Sequence, residues 1–218
     1  MVKYLLFDLD GTLTDPKEGI TNSVAYALEK YGITVKDHDE LIPFIGPPLY
    51  DSFERFYGFS HEKAIEAVEF YREYFRPYGM FENYVYPGIP EMLAKFKAAG
   101  FKMAVASSKP EVFVKKITEK FGLDVFFEEQ IGSELDGSRI EKVDVIKDAL
   151  KRLGSKPGEA LMIGDKSHDV SGAKAAGVKA AGVCWGYALE GELEASKPDF
   201  TAKSIKDLQE YVLNINTL

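Results

Sequence analysis

The chain has 218 residues, 45% of them hydrophobic and 28% charged, a composition expected of a soluble globular protein. Its net charge of −8 and pI ≈ 5.1 argue against nucleic-acid backbones and anionic membranes as partners. The single Cys184 excludes an intramolecular disulfide or a cysteine zinc cluster, and no apolar stretch approaches the roughly 20 residues that span a bilayer. With no signal peptide after Met1-Val2-Lys3, a cytoplasmic protein is expected.

Tyr4-Leu5-Leu6-Phe7 is an unbroken apolar run, the pattern of a strand buried on both faces in a parallel sheet. It ends in Asp8-Leu9-Asp10-Gly11-Thr12. The two-residue period of an extended chain turns both carboxylates to the same side. Asp-Gly is common turn chemistry and accounts for Asp10-Gly11. It does not account for Asp8, a charge set directly after a core run, where open α/β sheets bind their ligands. Like charges held this close call for something positive between them.

Asp15-Pro16 reads as a helix start, followed by Ile20, Val24, Leu28 and Tyr31 at helical spacing as far as Gly32. A second helix is expected over Leu49–Tyr57, after the Gly46-Pro47-Pro48 turn. A third runs from a Ser60 cap through Ile65, Val68, Tyr71 and Phe75 and ends near Pro77-Tyr78-Gly79. Residues 16–84 therefore read as an all-helical insertion whose aromatics fill a small core of their own.

From Pro87-Gly88 onward helices and strands alternate. Helices are expected at 89–99, 111–121, 142–153, 169–176 and 204–212, and strands at 101–106, 125–127, 160–163 and 178–183. The tail 214–218 is expected to fray. This alternation implies an α/β protein with a doubly wound, mostly parallel sheet. Residues 1–15 and 85–218 would form the core domain and residues 16–84 the inserted helical domain.

The later strands also end in polar residues. Strand 101–106 leads into Ser107-Ser108-Lys109-Pro110, where hydroxyls and backbone N–H groups at a helix start can hold phosphate oxygens. Strand 160–163 leads into Gly164-Asp165-Lys166-Ser167-His168-Asp169, which by itself could equally be a loop before an Asp-capped helix. His168 reads as a helix-start residue near the rim, because the three His of the chain form no zinc-binding pattern.

Phe7-Asp8-Leu9-Asp10-Gly11-Thr12-Leu13 resembles the DxDGT signature of the haloacid dehalogenase-like superfamily, whose members are mostly phosphatases. The Ser107 segment and Gly164-Asp165…Asp169 are similar to that family's later motifs, in the same order. The resemblance implies a Rossmann-like core with an inserted helical cap. It implies that Asp8 attacks phosphorus to form an aspartyl-phosphate, and that Asp10 serves first as general acid and then as general base. It further implies Mg²⁺ ligated by Asp8, the main-chain carbonyl of Asp10 and Asp165, with Asp169 acting directly or through water. Ser107 would contact the phosphate, with Gly11, Thr12 and Ser108 as further candidates; Asn often stands in the place of Ser108 in this branch.

The family also uses a site lysine, because a charge-spreading transition state needs a cation close by. Within Ser138-Arg139-Ile140-Glu141-Lys142 the assignment falls on Lys142, with Arg139 as its competitor. In the insertion, Ile45-Gly46-Pro47-Pro48-Leu49 is similar to phosphoglycolate phosphatase-like and 5′-nucleotidase-like members. Gly46 and Arg55 become candidate substrate contacts there, with Arg72 and Arg76 as the other cap arginines.

The expected function is a Mg²⁺-dependent phosphomonoesterase acting on a small phosphorylated metabolite, phosphoglycolate phosphatase-like, as a monomer or homodimer. A 5′-nucleotidase acting on nucleoside monophosphates is the alternative. A phosphomutase would share Asp8, Asp10 and Mg²⁺, whereas a dehalogenase would have no use for Asp10. A protein that binds phosphorylated metabolites without turnover is the non-enzyme alternative, and the full set of catalytic side chains counts against it.

Overall fold

The structure, a computed structural model, describes residues 1–135, 139 and 141–217. Ser138 and Ile140, from the segment read for a site cation, and the terminal Leu218 lie outside the described residues. The chain divides into two compact units, residues 1–14 with 85–218 and residues 15–84.

Strand β1 (Tyr4–Phe7) opens the larger unit, and the chain leaves it through the short strand β2 (Thr14–Asp15). The smaller unit holds α1 (Lys17–Glu29), a 3-10 segment (His38–Phe44), α2 (Leu49–Tyr57) and α3 (His61–Tyr74). Pro16 stands at the N-cap of α1, and the Ser60 hydroxyl caps α3 by accepting from the Lys63 amide at 3.3 Å. Proline cannot donate within a helix. Around Pro77 the last turn of α3 accordingly widens into a π-helical turn (Phe75–Gly79). Aromatics fill the core of this unit: Phe53 packs between Phe44 and Phe59, with ring centroids at 5.1 and 5.9 Å, and Val24, Leu28 and Val68 are buried too.

The chain returns through β3 (Tyr84–Val85) to α4 (Ile89–Ala98), β4 (Lys102–Pro110), α5 (Glu111–Lys120), β5 (Glu129–Ser133) and α6 (Lys142–Leu153). Then follow β6 (Ala160–Gly164), α7 (Ser167–Ala175), β7 (Lys179–Val183), α8 (Glu192–Ser196), β8 (Phe200–Ala202) and α9 (Ile205–Asn214). Six strands form one parallel sheet in the order β5-β4-β1-β6-β7-β8. Phe7 pairs with Val105 on one side and Ile163 on the other, which is why the first strand tolerates no polar residue. Leu5, Leu6 and Phe7 are fully buried, each worth about 1.5–3 kcal/mol of transfer free energy. Leu6, Ala104 and Ile131 pack beneath Val145, Ile146 and Ala149 of α6. The doubly wound Rossmann-like sheet expected from the sequence is thus present.

From β1 the chain moves outward to β4 and β5, then restarts on the other side with β6, β7 and β8. The reversal falls beside β1, and ligands of such sheets bind beyond the strand ends at that point. Several local expectations differ, among them the end of the strand expected at 101–106, which runs on as β4 through Ser107 to Pro110. Residues expected as a strand at 125–127 lie in a 3-10 turn (Asp124–Phe126), and pairing with β4 starts only at Glu129. Of that apolar run Val125 is exposed, and Phe127 packs edge-on to Phe7 with ring centroids at 6.2 Å. Helix α8 and strand β8 were not anticipated, both being too short for a periodic signal. Within the tail expected to fray, the described residues are tied down as far as Asn216, whose side chain accepts from the Val2 amide at 2.7 Å and donates to the Val2 carbonyl at 2.8 Å.

Candidate active site

The residues gathered at the carboxyl edge of the sheet all belong to the larger unit. Asp8 stands one residue past β1, and its amide donates to the Ile163 carbonyl at 2.9 Å, so the ladder fixes where the side chain leaves the sheet. The Leu9 amide donates to Asp8 Oδ1 at 2.8 Å. Lys142, the first residue of α6, reaches the same oxygen at 3.0 Å and Asp169 Oδ1 at 2.8 Å, and donates to the Ala106 carbonyl at 3.1 Å. Its side chain is 2% exposed, so this ammonium exchanges water for three oxygens.

The charges in this site are mutually dependent. Burial lowers the pKa of Lys142, yet Asp169 and Asp8 outweigh it and hold the group well above the ordinary lysine range. Burial pushes the Asp8 carboxyl up, against the pull of Lys142 and with the help of Asp169. Asp165 is pushed up to about 8 by burial and then by the carboxylates of Asp169 and Asp8. Asp169 goes the other way: burial opposes ionisation, but Lys142 and His168 outweigh it.

Asp165 Oδ2 accepts from the Tyr187 amide at 2.7 Å, and Thr12 Oγ1 donates to its Oδ1 at 3.4 Å. Gly11 has φ +79°, and a Cβ there would stand 2.3 Å from Asp165 Oδ2, so only glycine fits this turn. Asp169 Oδ2 accepts from the Lys166 amide at 3.0 Å, which caps α7. The Ser107 hydroxyl is buried, hydrogen-bonded to Asp8, and accepts from the Lys109 amide at 3.3 Å. The Ser108 carbonyl accepts from Ser133 Oγ at 2.8 Å, which fixes the same segment against β5.

Asp8, Asp10, Gly11, Thr12, Ser107, Ser108, Lys142, Asp165 and Asp169 therefore gather at the carboxyl edge of the sheet. Arg139 sits apart from Asp8, in ion pairs with Glu111 at 3.1 Å, Glu134 at 2.6 Å and Asp148. Gly46 and Arg55 belong to the smaller unit. Gly46 takes φ +106° before α2, and the Arg55 guanidinium lies 5.4 Å over the Phe56 ring.

Four features escaped the sequence reading. Lys109 Nζ lies 2.8 Å from Asp10 Oδ2. The Tyr187 amide and Trp185, whose Nε1 donates to the Thr12 carbonyl at 3.1 Å, come from the segment after β7. Their one sequence signal was position, since that strand ends on the same edge. His168, read as a rim residue, offers a ring nitrogen within a group whose atoms, with those of Asp8 and Asp169, all lie within 4.8 Å of one another.

Asp8 and Asp169 bring carboxylate oxygens within 4.8 Å of one another and of a His168 ring nitrogen, and the nearby Asp165 is a further buried carboxyl. Hard divalent cations take carboxylate oxygens, so the residues fit one.

Residues 5–183 match the model of the haloacid dehalogenase-like hydrolase family. A 5′-nucleotidase of Pseudomonas aeruginosa is 48% identical over 194 residues, covering 89% of this chain and 88% of that protein. The tyrosine-protein kinase PtkA of Mycobacterium tuberculosis is 41% identical over 185 residues, covering 85% of this chain and 63% of that one. The crystal structure of a predicted phosphatase from Clostridium acetobutylicum superposes with a TM-score of 0.95 at 44% identity, over 98% of this chain and 99% of that one. The chain belongs to the haloacid dehalogenase-like hydrolases. Within that superfamily it is a phosphatase, an enzyme of the phosphoric monoester hydrolase class.

Proposed function

We propose that the chain hydrolyses small phosphate monoesters through an aspartyl-phosphate on Asp8. The observation that carries this reading is the buried Lys142 ammonium between Asp8 and Asp169. An Asp8 carboxylate oxygen attacks phosphorus, and the bond from phosphorus to the alcohol oxygen breaks. Asp10 gives that oxygen its proton. Water then attacks the phosphorus of the aspartyl-phosphate, Asp10 takes the water's proton, and phosphate leaves with Asp8 restored. Lys142 and the Leu9 amide hold Asp8 Oδ1 and so orient the carboxylate. The Ser107 hydroxyl, with Gly11, Thr12 and Ser108, receives the phosphate oxygens. A bound Mg²⁺, held by Asp8, the Asp10 carbonyl, Asp165 and Asp169, would offset the repulsion between carboxylate and phosphate.

The likeness to a protein named 5′-nucleotidase supports nucleoside monophosphates as the substrate class, ahead of phosphoglycolate-like esters. Residues 16–84 take the part of the family's cap, which selects small esters, and Gly46 and Arg55 are the substrate contacts assigned to it. The test compares kcat/KM for nucleoside 5′-monophosphates, 2-phosphoglycolate, sugar phosphates and a phosphotyrosine peptide, with and without Mg²⁺. Phosphoryl transfer from ATP to a tyrosine peptide is assayed alongside, because one relative is named a tyrosine kinase. Preference for a nucleotide is expected. Preference for the phosphopeptide, or efficient transfer to a tyrosine, contradicts the proposal.

A further inference from the structure

Asp8 and Asp10 are served by different lysines. Lys142 comes up from α6 to Asp8, while Lys109 comes from the end of β4 to Asp10 Oδ2 at 2.8 Å. The Lys109 side chain is 6% exposed and that of Asp10 12%, so both are largely out of water. Asp10 Oδ1 is buried and has no hydrogen-bond partner. The backbone that carries Lys109 is also fixed. Its amide donates to Ser107 Oγ, Ser133 holds the neighbouring Ser108 carbonyl, and a Cβ on Gly132 would come within 2.3 Å of the Lys109 carbonyl oxygen.

A lysine ammonium is a strongly hydrated point charge that seldom leaves water without a partner. Two carboxylate oxygens with unequal surroundings cannot do the same work. From this pairing we infer that Lys109 is a positioning residue for Asp10: it anchors Oδ2, and Oδ1 is the atom that gives a proton to the departing alcohol and takes one from the attacking water. The inference rests on the reading of Asp10 as acid and base. It adds that one short segment, Ser107 to Lys109, orients both halves of the site at once. The Ser107 hydroxyl contacts the nucleophile, and two residues further on the ammonium contacts the acid. In the sequence the lysine looks like one more solvated charge before Pro110.

Leaving-group dependence tests this, because a nitrophenolate departs without protonation and an alkoxide does not. The quantity to compare is the ratio of kcat/KM for a nucleoside 5′-monophosphate to that for 4-nitrophenyl phosphate. It is measured in the wild type, Asp10→Asn, Lys109→Met, Lys109→Arg and the double variant Asp10→Asn/Lys109→Met, with folding checked by circular dichroism. General acid catalysis contributes factors on the order of 10²–10⁴, so Asp10→Asn should lower the ratio by about 10² or more. Lys109→Met should lower it in the same sense by at least about tenfold, and Lys109→Arg should recover part of the loss. The double variant should match Asp10→Asn, because no carboxylate then remains to be positioned. It also removes both charges of the pair, so it decides the matter even if Lys109→Met alone fails to fold. Equal losses on both esters in Lys109→Met would make the lysine a phosphate-binding or merely structural group and overturn the inference. So would a double variant well below Asp10→Asn. An unchanged ratio in Asp10→Asn itself would instead remove the acid role of Asp10, and the inference with it.

Discussion

The Cβ that Gly172 lacks would stand 2.8 Å from Cγ of Lys142 and 2.9 Å from its Cβ. Gly172 lies in α7, one helix beyond the lysine's own, and its bare backbone leaves the channel through which Lys142 reaches Asp8 and Asp169. Alanine is the better helix former by about 1 kcal/mol, so a gain in stability would be the ordinary outcome of Gly172→Ala. Here the crowded atoms lie at the root of the lysine side chain, where it cannot swing aside. Gly172→Ala is therefore expected to lower kcat at least tenfold, with no gain in the thermal midpoint. Activity and thermal melts on the same preparation check both halves.

Lys142→Met should abolish turnover and destabilise the fold. Removing one partner of a buried ion pair costs about 3–5 kcal/mol, because the remaining charges are left without compensation. Asp8 and Asp169 are those charges. Adding Asp169→Asn to the same chain should recover part of the lost stability without restoring activity. Urea unfolding of the single and double variants measures the recovery; a double variant less stable than Lys142→Met would contradict the pairing.

Acid should loosen the α5–α6 side of the sheet through Glu111. Burial raises the pKa of this carboxyl, but Lys115 and Arg152 outweigh it and bring it below its ordinary 4.5. Arg139 adds a third cationic contact at 3.1 Å. A carboxyl whose folded pKa is depressed contributes stability that is complete above its unfolded pKa and is lost as pH falls through the folded value. Stability should therefore decline below about pH 4.5, and Glu111→Gln should flatten that part of the profile. The check is urea unfolding at a series of pH values from neutral to about pH 3.

Metal removal should act on stability as well as on rate. A cation that binds only the folded state stabilises it by about 2.7 kcal/mol at a hundred times its dissociation constant. Excess EDTA should lower the thermal midpoint and stop turnover, Mg²⁺ should restore both, and Ca²⁺ should restore the midpoint while inhibiting. Ca²⁺ prefers more ligands at longer distances, which suits binding but not in-line attack by Asp8. Full activity in EDTA would contradict the proposed cofactor.

The parts of the site legible in the sequence are those where a polar residue directly follows the buried apolar run of a strand. Asp8 after Phe7, Ser107 after Ala106 and Asp165 after Gly164 each break an apolar run at a position the sheet itself fixes. Lys142 and Arg139 could not be separated in that way, because three residues apart on one segment both carry charge. What separates them is where α6 begins relative to β4, with one cation turned under the sheet edge and the other toward Glu111 and Asp148. Lys109 and the Tyr187 amide stayed hidden for a related reason. A backbone amide carries no residue signature, and a lysine before proline resembles the many exposed ones. The short turn at Asp124–Phe126 differs from the expected strand because a three-residue apolar run carries no period, and here Val125 stays exposed.

The most direct test of the mechanism is to trap the phosphoryl group. Asp10→Asn should still form the aspartyl-phosphate from 4-nitrophenyl phosphate while hydrolysing it slowly. Mixed with that ester and quenched in acid, the variant should release close to one nitrophenolate per molecule in a burst. The peptide containing Asp8 should carry one phosphoryl group by mass spectrometry, and the same peptide from Asp8→Asn should carry none. No burst and no phosphorylated peptide, or a phosphoryl group found on another residue while the wild type turns over, would contradict Asp8 as the nucleophile.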